Sequence, residues 1–301
     1  MAKPGKGQTG APHSSGVEID QPTGQETTGH EWDGIKELNT PLPSWWLYVL
    51  YATIVWAIGY WIVYPAWPMV SDYTRGLFGY SSRADVTEQL KQAAAARAQQ
   101  TEQLTKLSVE QIAADPQLLS YSIAGGRSVF AVNCAPCHGA GGQGGHGYPV
   151  LADDDWLWGG DLPNIERTIR YGIRSTSAET QQSEMPKFGV DQVLTPAQIN
   201  DVASYALSLS GEAVDKDAAG RGKQIFADNC AACHGEDGGG NMELGAPSLK
   251  DKIWLYGNTM AAVVAQVTNP HHGVMPTWEG RLDDATIKMV AVYVHSLGGG
   301  Q

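Results

Sequence analysis

The sequence predicts an all-α protein in which one membrane-spanning helix is followed by two tandem copies of a small helical domain. Three observations predict it: a charge-free apolar run near the N-terminus, a Cys-x-x-Cys-His pentapeptide that occurs twice, and a residue pattern around the pentapeptides that repeats with them.

Residues 1–43 precede the apolar run. The first thirty are rich in Gly, Ser, Thr, Gln and Pro with few apolar groups, a composition that predicts disorder. From Leu38 to Ser71 the chain carries no charge, and the centre of that stretch, residues 44–64, is apolar and aromatic. At about 1.5 Å per residue this segment reaches about 31 Å, the thickness of a bilayer's hydrocarbon core. Pro41 and Pro43 before it and Pro65 and Pro68 after it delimit a helix. Trp45 and Trp46 at one end, with Tyr60, Trp61, Tyr64 and Trp67 at the other, form the aromatic belts expected at two interfaces. The run lies behind a long polar segment and no small-residue cleavage site follows it, so it reads as an uncleaved anchor rather than a signal peptide. Lys36 on one side, against Arg75 and Arg83 on the other, leaves its orientation unassigned by charge.

Residues 65–120 read as a linker. Within it residues 84–114 are rich in Ala, Gln, Glu, Lys and Leu, which predicts a helical spacer ended by Pro116.

Two domains follow, 121–210 and 211–301. Cys134-Ala135-Pro136-Cys137-His138 and Cys230-Ala231-Ala232-Cys233-His234 use all four cysteines of the chain. Around them Gly126, Phe130, Ala131 and Asn133 recur as Gly222, Phe226, Ala227 and Asn229, and Gly147, Pro149, Leu151 and Trp156 as Gly245, Pro247, Leu249 and Trp254. Met185-Pro186 is answered by Met275-Pro276, and the apolar pattern of residues 194–209 by that of 282–297. This is a tandem duplication. Helices are predicted over Gly126–Asn133, Gly222–Asn229, Pro196–Leu209 and Asp284–Leu297, the last two capped by Thr195 and Asp283. Within each repeat, first helix on last helix would pair Phe130 with Tyr205 and Phe226 with Tyr293.

In Cys-x-x-Cys-His the two thiols can form thioethers with haem vinyl groups, and the adjacent imidazole then binds the iron. A redox dithiol or half a zinc site are the competing readings. They fit less well, because the motifs are a domain apart and each ends in histidine. Two covalent c-type haems are expected, on Cys134 and Cys137 with His138 and on Cys230 and Cys233 with His234. Met185 and Met275, at matching places in the repeat, are the candidates for the sixth iron ligand. A soft thioether favours Fe(II), raises the potential and closes the iron to oxygen or peroxide. Met242, Met260, His271, His272 and His146 have no counterpart in the other repeat. The formal net charge of −12 argues against nucleic-acid binding and admits a basic protein partner.

The stretch Gly29 to Pro43, with Trp45-Trp46 and Tyr64-Pro65-Ala66-Trp67-Pro68, resembles the start of the dihaem subunit of cbb3-type cytochrome c oxidase, the CcoP or FixP type. The tandem domains then resemble class I cytochrome c domains. That resemblance implies that Pro149 and Pro247 offer their carbonyls to the Nδ1 protons of the ligand histidines. It also implies electron transfer from a cytochrome c donor or the bc1 complex, through a monohaem subunit, to a haem-copper catalytic subunit that this chain lacks. Covalent haem attachment in bacteria is periplasmic, which would place residues 1–43 in the cytoplasm and the haem domains in the periplasm, on a single-pass inner-membrane anchor. A freestanding dihaem shuttle and a dihaem peroxidase are the alternatives.

Overall fold

The structure, a computed structural model, describes residues 18–298; the expectation of disorder over residues 1–17 lies outside the described residues. It divides into two compact units, the first ending at Gln92 and the second beginning at Ala93.

In the first unit, β1 (Thr27–Trp32) and β2 (Ile35–Leu38) form an antiparallel hairpin. Asp33 and Gly34 both take positive φ, 53° and 84°, the pattern of the two-residue turn that an Asp-Gly dipeptide adopts. Upstream, Asp20 Oδ2 accepts from the Thr23 amide at 3.1 Å and the Thr23 hydroxyl at 2.6 Å, and Ile19 bridges to Glu26. Disorder over residues 18–30 is therefore corrected: turn chemistry orders this stretch where composition alone offers no core.

Helix α1 (Ser44–Val63) fills the predicted span and is, among the described residues, the one helix long and apolar enough to cross a membrane, with mean hydropathy 1.6. Beyond Pro65 the chain doubles back. Leu77 and Phe78 donate their amides to the carbonyls of Ile62 and Val63, at 3.0 and 3.1 Å, and so satisfy acceptors that a helix C-terminus otherwise leaves open.

Helix α2 (Ser82–Lys106) is the expected spacer, but it stops earlier than Pro116. A capping box at Ser108 and Gln111 starts α3 (Val109–Ala114), and Asp115 then caps α4 (Pro116–Asn133), with Pro116 at its first position, where a missing amide costs nothing. Leu104, Val109, Ile112 and Leu118 are buried in the first core of the second unit. The end of the expected linker is thus part of that core.

The remaining helices are α5 (Ala135–His138), α6 (Leu162–Tyr171), α7 (Pro196–Leu209), α8 (Lys216–Asn229), α9 (Ala231–His234), α10 (Met260–Thr268) and α11 (Asp284–His295). Thr195 and Asp283 cap α7 and α11 as expected. Sequence reading gave no helix at α6 or α10, although Asp161 and Thr259 cap them and Leu162, Ile165, Ile169, Val263 and Val267 are their buried residues.

The packing of these helices departs from the order of the repeats. Helix α4 packs on α11, and α7 packs on α8. Phe130 meets Tyr293, ring centroids 5.3 Å apart, and Phe226 meets Tyr205 at 5.2 Å; the pairings expected within each repeat are corrected. A Cβ on Gly126 would overlap the Met289 carbonyl and the Tyr293 side chain, and one on Gly222 would overlap the Asp201 carbonyl and the Tyr205 side chain. Each glycine thus admits the backbone of the helix that actually crosses it. The first core is discontinuous in sequence, running from Leu104 to Ile169 and closing with residues 275–297. The second is continuous, from Met185 to Val267. The boundary at 210/211 separates sequence repeats and does not separate packed cores. Only residues 210–215 link α7 to α8, and a short helix–helix connection favours antiparallel neighbours.

Lys288 of α11 is buried in the first core. Its Nζ donates to the carbonyls of Leu104, Thr105 and Leu107, at 3.2, 3.0 and 2.9 Å, and pairs with Asp284 at 2.9 Å. It thereby caps the end of α2 with a charge. Arg170 bonds Glu166 at 2.6 Å and also Asp284.

Candidate haem sites

Each pentapeptide sits at the junction of a long helix and a single helical turn. Cys134 is the C-cap of α4 and α5 carries Cys137 and His138; Cys230 is the C-cap of α8 and α9 carries Cys233 and His234. One cysteine of each pair is exposed, Cys137 and Cys233, while Cys134 is half-buried and Cys230 buried. Burial, with a smaller push from the neighbouring thiol, raises the Cys134 and Cys230 thiols to about 11.

The histidines are held as an iron ligand must be. His138 Nδ1 lies 3.2 Å from the Pro149 carbonyl and His234 Nδ1 lies 3.0 Å from that of Pro247. With Nδ1–H donating to a carbonyl, Nε2 keeps its lone pair and the ring is fixed. Burial lowers both imidazoles below their ordinary range, against the opposing effect of the carbonyl bond, so the neutral, metal-binding form prevails at pH 7.

His138 lines a cleft walled almost wholly by carbon, with Phe130, Leu151, Trp156, Ile169 and Val294 among its lining. Met275, from the second repeat, lines it too. Met185, from the first repeat, packs instead against the core that holds Cys230, Leu249 and Trp254. Met275 thus shares a cleft with His138, and Met185 shares a core with Cys230 of the second pentapeptide. The within-repeat placement that the matched sequence positions suggest is not observed.

The Trp254 Nε1–H is buried and, among the described residues, has no hydrogen-bond partner. A buried donor left unpaired costs about 1–3 kcal/mol, so a carboxylate-bearing ligand in this core would supply what the protein does not. Two thiols, a fixed neutral imidazole and a thioether at each site, with an apolar cleft at the first and an orphan donor at the second, fit covalently bound haem. Among the described residues no group of three or more His, Cys, Asp or Glu is placed to hold a metal ion.

Between the two cores the chain crosses itself at Ile173. Its amide donates to the Met275 carbonyl and its carbonyl accepts from the Met275 amide, both at 3.0 Å. His272 Nε2 accepts from the Met185 amide at 3.0 Å. His146 stands edge-on to Tyr256, centroids 6.0 Å apart, and Tyr256 lies 5.6 Å from His271. Met242 is half-exposed, 47% accessible, and joins neither core. Sequence reasoning missed Ile173, Arg174 and Tyr256 as crossing residues. They carry no motif, and their position follows from the helix exchange alone.

Cys-x-x-Cys-His on a helical turn, histidine tied to a proline carbonyl and methionine across an apolar cleft define the class as a c-type cytochrome, whose domains carry covalently bound haem c. Comparison with known proteins narrows this. Residues 24–71 match the family described as the N-terminal domain of cytochrome oxidase-cbb3, FixP; residues 123–210 match cytochrome c; and residues 217–294 match cytochrome c oxidase, cbb3-type, subunit III. The chain is 55% identical over 284 residues to the cbb3-type cytochrome c oxidase subunit FixP of Sinorhizobium medicae, covering 94% of this chain and 98% of that one. It is 56% identical to FixP of Bradyrhizobium diazoefficiens, covering 94% and 98%, and 53% identical to CcoP of Cereibacter sphaeroides, covering 91% and 95%. The chain belongs to the FixP/CcoP family of cbb3-type cytochrome c oxidase subunits.

Proposed function

We propose that this chain is the membrane-anchored electron-entry subunit of a cbb3-type oxidase, carrying two haem c groups and no catalytic centre of its own. Cys134, Cys137 and His138 would hold one haem, with Met275 as the further iron ligand; Cys230, Cys233 and His234 would hold the other, with Met185. Bound haem would supply a reversible one-electron couple at each site. The protein's part is to hold the ring nitrogens and thioethers in place, to fill the coordination shell, and to keep water off the iron with Leu151, Trp156, Leu249 and Trp254.

The observation that supports the reading is that Met275 lines the cleft of His138 and Met185 packs in the core that holds Cys230, so that a thioether is on offer to each haem as a sixth ligand. Electrons arrive from a cytochrome c or bc1-type donor and leave toward the catalytic subunit and its monohaem partner. Residues 1–43 face the cytoplasm and the haem domains the periplasm of a bacterial inner membrane. Purification from detergent-solubilised membranes tests the proposal. The chain should co-purify with an oxygen-reducing complex and give two haems c per chain by pyridine haemochrome; recovery as an isolated dihaem protein would replace this reading with a freestanding shuttle.

A further inference from the structure

The two methionine-bearing loops, which reach opposite cores, are fastened by one side chain. Arg174 Nε donates to the Gly273 carbonyl at 2.7 Å, two residues before Met275, and its Nη1 donates to the Ser183 carbonyl at 2.8 Å, two residues before Met185. The planar fork of a guanidinium has the shape for this, presenting several donors at fixed angles, whereas an ammonium is a point charge on a flexible stem. Arg174 is half-buried, and among the described residues it forms no salt bridge; its guanidinium is bonded to two carbonyls, with the charge of Glu184 acting on it as well.

The backbone is shaped around this role. Arg174 sits at φ 50°, in the left-handed region that a residue with a Cβ enters only at a cost. Its amide donates to the Gln181 carbonyl at 2.9 Å, while the preceding residue, Ile173, makes the two-way bridge to Met275. Chain turn and side chain together tie residue 173, the Ser183 loop and the Gly273 loop into one knot.

We infer that Arg174 is a positioning residue shared by both haem sites, which holds Met185 and Met275 against their irons at once and so sets both reduction potentials together. The inference rests on the exchanged ligand assignment proposed above. A longer iron–sulfur bond stabilises Fe(II) less, so loosening either loop lowers the potential of the haem it serves.

The test uses the full chain, haem-loaded and in its oxidase complex, with Arg174→Met to remove the fork and charge while keeping the stem, and Arg174→Lys to keep the charge alone. Two quantities are read for each haem: the midpoint potential, and the sulfur-to-iron charge-transfer absorption of the ferric form, which reports the bond rather than the field around it. Arg174→Met should lower both potentials and weaken both absorptions; Arg174→Lys, with its charge in place, should still weaken both, to a smaller extent. A response confined to one haem, potentials that fall with both absorptions intact, or full recovery by lysine would overturn the shared positioning role. Should Arg174→Met fail to retain haem, the lysine variant decides by the same readings. Met185→Leu and Met275→Leu run in parallel separate the two claims. If each abolishes one absorption while Arg174→Met leaves both, only the role of Arg174 fails; if neither does, the ligand assignment fails first.

Discussion

Replacing Phe130 and Tyr293 by leucine, singly and together, tests whether the first haem helix is closed by α11 or by α7. Phe130 is 1% exposed, and its ring is tilted 60° to that of Tyr293 with centroids 5.3 Å apart. Tilted aromatic pairs at that distance contribute about 0.5–1.5 kcal/mol beyond their buried area, and the coupling energy of the double-mutant cycle should fall in that range. Phe130 with Tyr205, which belong to different cores, should be additive within ~0.5 kcal/mol. Denaturant unfolding of the five variants, three single and two double, followed by far-ultraviolet circular dichroism, measures both cycles. Coupling between Phe130 and Tyr205, with none to Tyr293, would refute the exchange of closing helices.

Other outcomes follow from the same packing. Lys288→Met strips the cap from three carbonyls and leaves Asp284 with Arg170 alone; it should destabilise the first core by about 3 kcal/mol, seen as a lower denaturation midpoint. Burial pulls the Asp284 carboxyl up, but hydrogen bonds from Lys288 and Arg170 outweigh it and hold the group below its ordinary range. Its contribution is therefore complete above the unfolded carboxylate pKa and fades as pH falls through the lowered folded value. Asp284→Asn should flatten that acid limb, and an acid titration of stability that is unchanged by the substitution would contradict this. Cys230→Ala with Cys233→Ala should leave one haem per chain, and a pyridine haemochrome assay that still gives two would overturn the stoichiometry.

Much of this arrangement is written locally. Pentapeptides, caps at Thr195 and Asp283 and the apolar run are all fixed by residues close in sequence, and each could be read as such; the proline carbonyls came only with the family resemblance. Choice of helix partner is different, because duplication makes the surfaces alike. Gly126 and Gly222 open the same gap, Phe130 and Phe226 offer the same ring, and Tyr205 and Tyr293 answer equally well. What selects α8 for α7 is the short link of residues 210–215, a geometric constraint that carries no chemical motif. The Asp33-Gly34 hairpin, by contrast, had a readable signal that composition obscured.

The exchange of methionines is tested most directly by marking one haem. Cys137→Ala leaves the first haem with a single thioether and an unreacted vinyl group, which shifts its α-band to the red and distinguishes it from the second. Spectroelectrochemical titration of that protein with Met275→Leu added should show the shifted band titrating at a lower potential while the unshifted one stays in place, with Met185→Leu giving the reverse. A fall in the unshifted band on loss of Met275 would return each methionine to the haem of its own repeat and contradict the account.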